Sequence, residues 1–340
     1  MVAENAAVPA KPVRINGIAI AFAAMVAVLV LAPLPPFSLY PVDLIRALCF
    51  ALFACAFNLL IGYGGLLSFG HAMFFGWAAY VAAHLAKVGA ITLPYGAGNW
   101  IVIPLPPLTP ELAILGGTVF AGVLGAIAGS LAIRRQGIYF AMITLALAQM
   151  MYFFALQAKF TGGEDGIQAV PRGRLFGVID LAGNTAMYVF VAAVFLAAFA
   201  LIYRIINSPF GEVLKAIREN EPRAISLGYK TERYKLAAFV MSAALAGLAG
   251  ATKAVAIGLA SLTDVQWQMS GEVVLMTLVG GLGTVFGPVA GAAIIIAMQT
   301  QLVSAGQWVT IIQGIIFVAC VLLFRRGIVG ELAARLRIRL

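Results

Sequence analysis

Apolar stretches of about twenty residues follow one another along the chain, separated by short polar breaks. A helix needs about that length to cross roughly 30 Å of hydrocarbon, whereas barrel strands would show alternating segments of about ten residues, so the pattern predicts membrane-spanning helices. The expected spans are 15–34, 43–61, 66–88, 111–133, 137–158, 186–206, 236–258 and 307–324, with an interrupted apolar segment at 272–300. The fold class is therefore an all-α, polytopic integral membrane bundle. The first residues form an Ala/Pro-rich tail expected to be disordered, and 15–34 is too long for a signal peptide and lacks its small-residue cleavage site, so it reads as a retained first span.

Composition agrees: the chain is 63% hydrophobic and 10% charged, with a mean hydropathy of +1.02, far from the roughly one-quarter charged mix of soluble domains. The net charge of +9 does not point to nucleic acid, because the basic residues sit at the ends of apolar runs. Placing the N-terminus in the cytoplasm puts sixteen of the 22 Lys and Arg residues inside, and Arg46, Lys87, Lys159, Arg172, Arg174 and Lys253 outside. Seven complete spans leave the chain outside near Gly258, while Arg325 and Arg326 belong inside. The segment 272–300 must then return to its starting side. GGLGTVFGP, which contains Gly280, Gly281, Gly283, Gly287 and Pro288, is the expected break or hinge. The expectation is eight full spans plus a broken or re-entrant pair, with ten spans as the alternative, and both termini inside.

Candidate chemistry is sparse. Cys49, Cys55 and Cys320 lie in apolar runs without ligand spacing, and His71 and His84 lack nearby partners for a metal or a triad. No metal and no cofactor is expected. The chain has no Gly-Lys pair and hence no phosphate-binding loop. No embedded acidic pair suggests a proton relay. Glycines four apart, Gly125 with Gly129 and Gly283 with Gly287 and Gly291, allow close helix approach. GGLLSFG, residues 64–70, echoes GGLGTVFG, residues 280–287, with one residue more in the second.

The one long polar island lies at 207–235. Asn207-Ser208-Pro209 ends a span, a short helix is expected from Gly211 to Asn220, and Glu221-Pro222 starts another that Gly228 stops. Two short helices along the membrane surface would form a rigid knob, able to pass force from a docked partner into the flanking spans.

AIRENEPRAISLGY (residues 216–229) resembles the coupling-loop motif of ATP-binding cassette import permeases, with Glu221, Ala224 and Gly228 at its acidic, small and glycine positions; Pro222 and Arg223 interrupt the usual acidic-Ala-Ala core. GYGGLLSFGHAMFFGWAAY (62–80), TGGEDGI (161–167) and VLMTLVGGLGTVFGPVAGAAI (274–294) are similar to signature stretches of the branched-chain amino acid permease family of the LIV type. The resemblance covers residues 43 to 325 in the family's order. It implies a permease subunit of a bacterial inner-membrane importer, paired with a second related permease, driven by two ATPase subunits and fed by a periplasmic binding protein. With the apolar pattern, it divides the chain into a cytoplasmic tail at 1–14, a permease domain at 15–325 containing the coupling loop, and a basic cytoplasmic tail at 326–340. Branched-chain or other hydrophobic amino acids are the leading substrates. Urea, short amides or aromatic acids are alternatives within the family, and a carrier or channel working without ATPase subunits is the alternative outside it.

The resemblance makes Arg218, Glu219, Asn220, Glu221, Ala224 and Gly228 the candidate ATPase-coupling residues. Polar groups at membrane depth give the candidate substrate path: Asn58, Ser68, His71, Thr144, Gln149, Glu272 and Thr277. Glu164 and Asp165, on the opposite side of the membrane from the island, suit pairing with basic residues of a binding protein.

Overall fold

A computed structural model of the chain describes residues 17–33, 40–87, 90–94, 100–104, 108–302 and 327–336, with scattered positions between 308 and 318. Apart from those positions, the expected span 307–324 lies outside the described residues, as do the tail 1–14, Cys320 and the final residues of the basic tail 326–340.

The helices are α1 (Gly17–Leu31), α2 (Pro41–Asn58) prolonged by a π-helical turn (Leu59–Tyr63), α3 (His71–Lys87), α4 (Pro110–Ala132), α5 (Ile138–Gln157), α6 (Asn184–Ile206), α7 (Pro209–Glu219), α8 (Glu221–Ser226), α9 (Thr231–Ile257), α10 (Trp267–Gly280), α11 (Gly287–Gln301) and α12 (Gly327–Leu336). Five stretches are long and apolar enough to cross a membrane: Pro41–Tyr63, Pro110–Ala132, Ile138–Gln157, Asn184–Ile206 and Thr231–Ile257. These fall where apolar runs predicted them, so the protein is an all-helical membrane bundle. Short β-pairs lie in its connections: β1 (Ala90–Pro94) with β2 (Trp100–Pro104), β3 (Ile167–Gln168) with β6 (Leu259–Ala260), and β4 (Arg174–Leu175) with β5 (Ile179–Asp180).

The third helix departs from expectation. It starts at His71 rather than at 66, because Gly65 is left-handed (φ +68°) and the chain beyond it is extended up to the new helix. Gly70 then passes so close to α5 that a Cβ there would lie 2.5 Å from the Thr144 carbonyl oxygen.

Helix α2 with its π-turn and helix α9 form the centre of the bundle, being 78% and 67% buried over their apolar windows. Helices α4, α5 and α6 are peripheral, at 39%, 28% and 33%. Small residues set the packing of α3, α4 and α9: a Cβ on Gly250 would lie 1.9 Å from the Phe75 carbonyl, and one on Gly125 would lie 2.5 Å from the Ala243 Cβ. Gly129 meets Phe239 in the same seam. On its outer side α4 exposes Leu112, Leu115, Val119, Val123, Ile127 and Leu131. Spaced three and four apart, they make one apolar stripe that hydrocarbon or another apolar face must cover.

The interrupted segment is a hairpin. Helices α10 and α11 run antiparallel on either side of residues 281–286, with Gly280 against the Gly287 carbonyl and Gly291 against the Met276 carbonyl. Gly287 and Gly291 are the close-packing glycines; Gly283, expected on the same helical ridge, lies in the turn with φ +75°.

Candidate functional site

The island folds as its punctuation dictates. Ser208 caps α7, its hydroxyl accepting from the Gly211 amide at 3.4 Å, and Pro209 occupies the first turn, where its missing N–H leaves no bond unmade. Leu214 and Ile217 turn one face of α7 into the bundle. Asn220 ends α7 and caps α8, its Oδ1 accepting from the Arg223 amide at 3.0 Å. Gly228, at φ +87°, closes α8, with its amide donating to Ile225 O at 2.9 Å and that of Tyr229 to Ala224 O at 3.2 Å.

Three further contacts fasten this knob. Lys235 Nζ of α9 donates to Glu221 Oε2 at 2.6 Å, with only 6% and 17% of the side chains exposed. The Phe210 ring stacks on Tyr234 at 5.6 Å between centroids, and Tyr229 meets Tyr234 edge-on. Ala224 is buried beneath. Facing outward are Glu219, Asn220, Arg223, Ile225 and Leu227, with Ile225 55% and Leu227 70% exposed. A capped, internally bonded surface thus leaves two large aliphatic side chains uncovered by the rest of the chain.

The six coupling candidates therefore divide. Glu219, Asn220 and Gly228 lie on the outer surface, whereas Glu221 and Ala224 face the bundle. Arg218 is exposed along its length, yet its head turns inward: Nη1 donates to the Gly62 carbonyl at the end of the π-turn. Its stem lies against Gly65 and its guanidinium beside Gly283. The two glycine turns that echo each other in sequence meet at this one side chain. A cleft of about 490 Å³ opens there, lined by Tyr63, Tyr203, Lys215, Arg218, Glu219 and Gly283 among others.

Asn58 fixes the same junction. Its Oδ1 accepts from the Gly283 amide at 3.0 Å, and its Nδ2 donates to the Thr284 carbonyl at 2.9 Å. Gly62 has to be a glycine, since a Cβ there would lie 2.2 Å from Asn58 Oδ1. Within the turn, Thr284 Oγ1 caps α11 by accepting from the Gly287 amide at 3.1 Å, and it donates to Gly281 O at 2.8 Å. Pro288, buried, follows in the first turn of α11.

The other candidates for a substrate path are engaged within the bundle. His71 is fully buried, with Nδ1 3.0 Å from Ser68 Oγ and Nε2 2.8 Å from Ser242 Oγ. Ser242 uses its hydrogen on the Ala56 carbonyl at 2.6 Å, so it accepts from His71 Nε2–H, and Ser68 donates to Nδ1. Phe57, Phe74 and Phe239 meet the imidazole edge-on. Thr144 donates to its own helix at Ala141 O and accepts from the Phe69 amide, while Thr277 donates to Val273 O and Val274 O. Glu272 accepts from Gln299 Nε2 at 3.3 Å, joining α10 to α11 at the far end of the hairpin, and Gln149 is half-buried on α5. Glu164 and Asp165 are exposed on a loop whose glycines 162, 163 and 166 are all left-handed. Sequence reasoning missed Ser242, Lys235, Ile225 and Leu227; for the last two, their place in a polar island was the available signal.

The sequence matches the family described as branched-chain amino acid transport system / permease component over residues 43–324. The chain belongs to that family. It is 26% identical over 341 residues to the high-affinity branched-chain amino acid transport system permease protein LivM of Escherichia coli K12, covering 93% of this chain and 76% of the relative. The LivM protein of Salmonella typhimurium LT2 is 26% identical over 306 residues, covering 83% and 68% of the two chains. A probable LivM of Methanocaldococcus jannaschii is 25% identical over 275 residues, covering 72% and 76%. No solved structure matches the chain. This family member is accordingly a permease subunit of an ATP-binding cassette importer rather than an enzyme, and ATP hydrolysis belongs to a separate subunit.

Proposed function

We propose that this permease pairs with a second, related permease in a bacterial cytoplasmic membrane and forms the path for branched-chain or other hydrophobic amino acids. A periplasmic binding protein delivers the substrate, and two ATPase subunits drive transport. The observation that carries this reading is the island: a rigid two-helix knob with Ile225 and Leu227 outward, in a chain of the permease family. The names of the bacterial relatives support the substrate class.

In this reading Glu219, Asn220 and Gly228 lie in the ATPase-docking surface, with Arg218, Glu221 and Ala224 supporting it. Both termini are cytoplasmic, as the basic residues favour. Ten crossings fit better than eight plus a re-entrant pair, because the 281–286 turn lies beside Arg218 and Gly62, at the level of the island. The permease domain is 15–325, with the coupling loop at 207–235. Glu164 and Asp165 face the periplasm as the binding-protein contact. Asn58, Ser68, His71, Thr144 and Thr277 shape the path by holding its walls; Gln149 and Glu272 are the candidates for touching substrate.

The test places single cysteines at Leu227 and Val178, two exposed sites, on a cysteine-free background and labels cells with an impermeant maleimide. Val178→Cys should react in intact cells, and Leu227→Cys only after the inner membrane is opened. Labelling of Leu227→Cys in intact cells would overturn the assignment. Uptake in vesicles lacking the ATPase subunits would instead favour the carrier.

A further inference from the structure

We propose that Arg218 is a transmission residue rather than a docking residue: it couples displacement of the island to the tip of the α10–α11 hairpin. This rests on the reading of the island as the ATPase-docking knob. The contacts run in one direction. Ile225 of α8 and Leu227 face away from the bundle, while the guanidinium of Arg218 bonds the Gly62 carbonyl and lies beside Gly283. Asn58, one helical turn before Gly62, holds both the Gly283 amide and the Thr284 carbonyl. Pressure on α7 therefore reaches the hairpin turn through two bonded side chains, with no flexible segment between.

Three features suit this junction to transmission. First, the two turns come to it through left-handed glycines, Gly65 at φ +68° and Gly283 at +75°. A Cβ at Gly65 would lie 3.0 Å from Arg218 Cγ, and one at Gly283 would lie 3.4 Å from Nη1. At Gly65 that is a tight contact, at Gly283 an ordinary one, and at both the positive φ itself favours glycine. Second, α2 reaches Gly62 through a π-turn, a local rewinding frequent at functional positions. Third, the hairpin beyond the turn is stiff. Its helices touch backbone to backbone at Gly280 and Gly291, and Glu272 ties to Gln299 at the opposite end. A shift of the tip must carry both helices, because packed helices move as bodies rather than deform.

A planar fork with several fixed donors suits this position better than a lysine, since one side chain must hold a carbonyl while lying flat beside a second turn. The cleft lined by Lys215, Arg218, Glu219 and Gly283 leaves room for the movement.

The test uses the complete importer in proteoliposomes: this permease, its partner permease, both ATPase subunits and the binding protein. Spin labels go on Leu282→Cys, in the hairpin tip, and Tyr139→Cys, exposed at the start of α5, with the three native cysteines replaced. The Leu282–Tyr139 distance should change when ATP and vanadate are added. Arg218→Met should abolish that change, lower uptake about tenfold, within the range of coupling between linked sites, and leave the ATPase subunits bound. Arg218→Lys, which keeps the charge but not the fork, should give an intermediate shift, and it is the variant to read if the Arg218→Met chain fails to insert into the membrane. An unchanged shift and normal uptake in these variants would overturn the proposal. So would loss of the ATPase subunits, which would make Arg218 a docking residue and leave the island reading intact. If Leu227→Asp also leaves ATPase binding unaltered, the island reading itself fails.

Discussion

The Glu221–Lys235 pair allows a sharp test of what the acidic position of the coupling loop does here. Glu221 starts α8, Lys235 lies in the second turn of α9, and their side chains meet at 2.6 Å with 17% and 6% of their surfaces exposed. Removing one member leaves the other poorly solvated and uncompensated. For a fully buried pair the loss is about 3–5 kcal/mol. Glu221→Gln, which strands the better-buried ammonium, should cost about 3 kcal/mol, the lower end of that range. Lys235→Met should cost about 2 kcal/mol, since the remaining carboxylate keeps some water and the favourable N-terminal end of α8. The double variant strands no charge and should cost only about 2 kcal/mol, giving a coupling of about 3 kcal/mol, the upper end for residues in contact. Reversible SDS unfolding of the chain in mixed micelles measures all three. Additive single costs would refute the internal strut, and a Glu221→Gln variant of native stability that no longer binds the ATPase subunits would return Glu221 to the docking surface.

Leu227→Asp changes a side chain 70% exposed, so stability should stay within about 0.5 kcal/mol, while co-purification with the ATPase subunits should weaken. Gly291→Leu must displace the Met276 carbonyl, against which even a Cβ would lie at 1.9 Å; the hairpin should splay, seen as a lowered melting temperature and new protease cleavage near 281–286. Ser242→Ala removes the acceptor of His71 Nε2 and should cost about 1–3 kcal/mol as a buried donor loses its partner. Thermal unfolding reads that cost, and retained ATPase binding would separate it from the docking surface.

What was legible in the sequence was what local physics decides. Apolar runs located α2, α4, α5, α6 and α9, and the caps Ser208 and Asn220 with the stop at Gly228 located the island's helices, each signal acting within a few residues. The start of α3 was not legible, because Gly65-Leu66-Leu67 reads as apolar helix until Gly70 is seen to pass the Thr144 carbonyl, 74 positions along. The β-pairs escaped for a related reason: strands as short as Ile167–Gln168 have no period, and their partner at Leu259–Ala260 lies across the fold.

The same distinction between local and distant partners explains why the coupling candidates divided. A motif specifies residue types along the chain, but α8 has only six residues, fewer than two turns, so no apolar stripe tells which side faces the bundle. Helix α7 does carry a stripe, and with Leu214 and Ile217 inward it turns Glu219 outward. Neither helix discloses Arg218, because its partner Gly62 lies 156 positions before it and Gly283 lies far beyond it in the chain. The echo between residues 64–70 and 280–287 does not locate that junction either, because it sets Gly65 opposite Gly281, whereas the glycine beside the guanidinium is Gly283. Both turns nonetheless place a left-handed glycine beside the arginine, Gly65 at φ +68° and Gly283 at +75°. A left-handed turn marks itself locally by its glycine, but the side chain it meets is set by the fold and leaves no mark beside it.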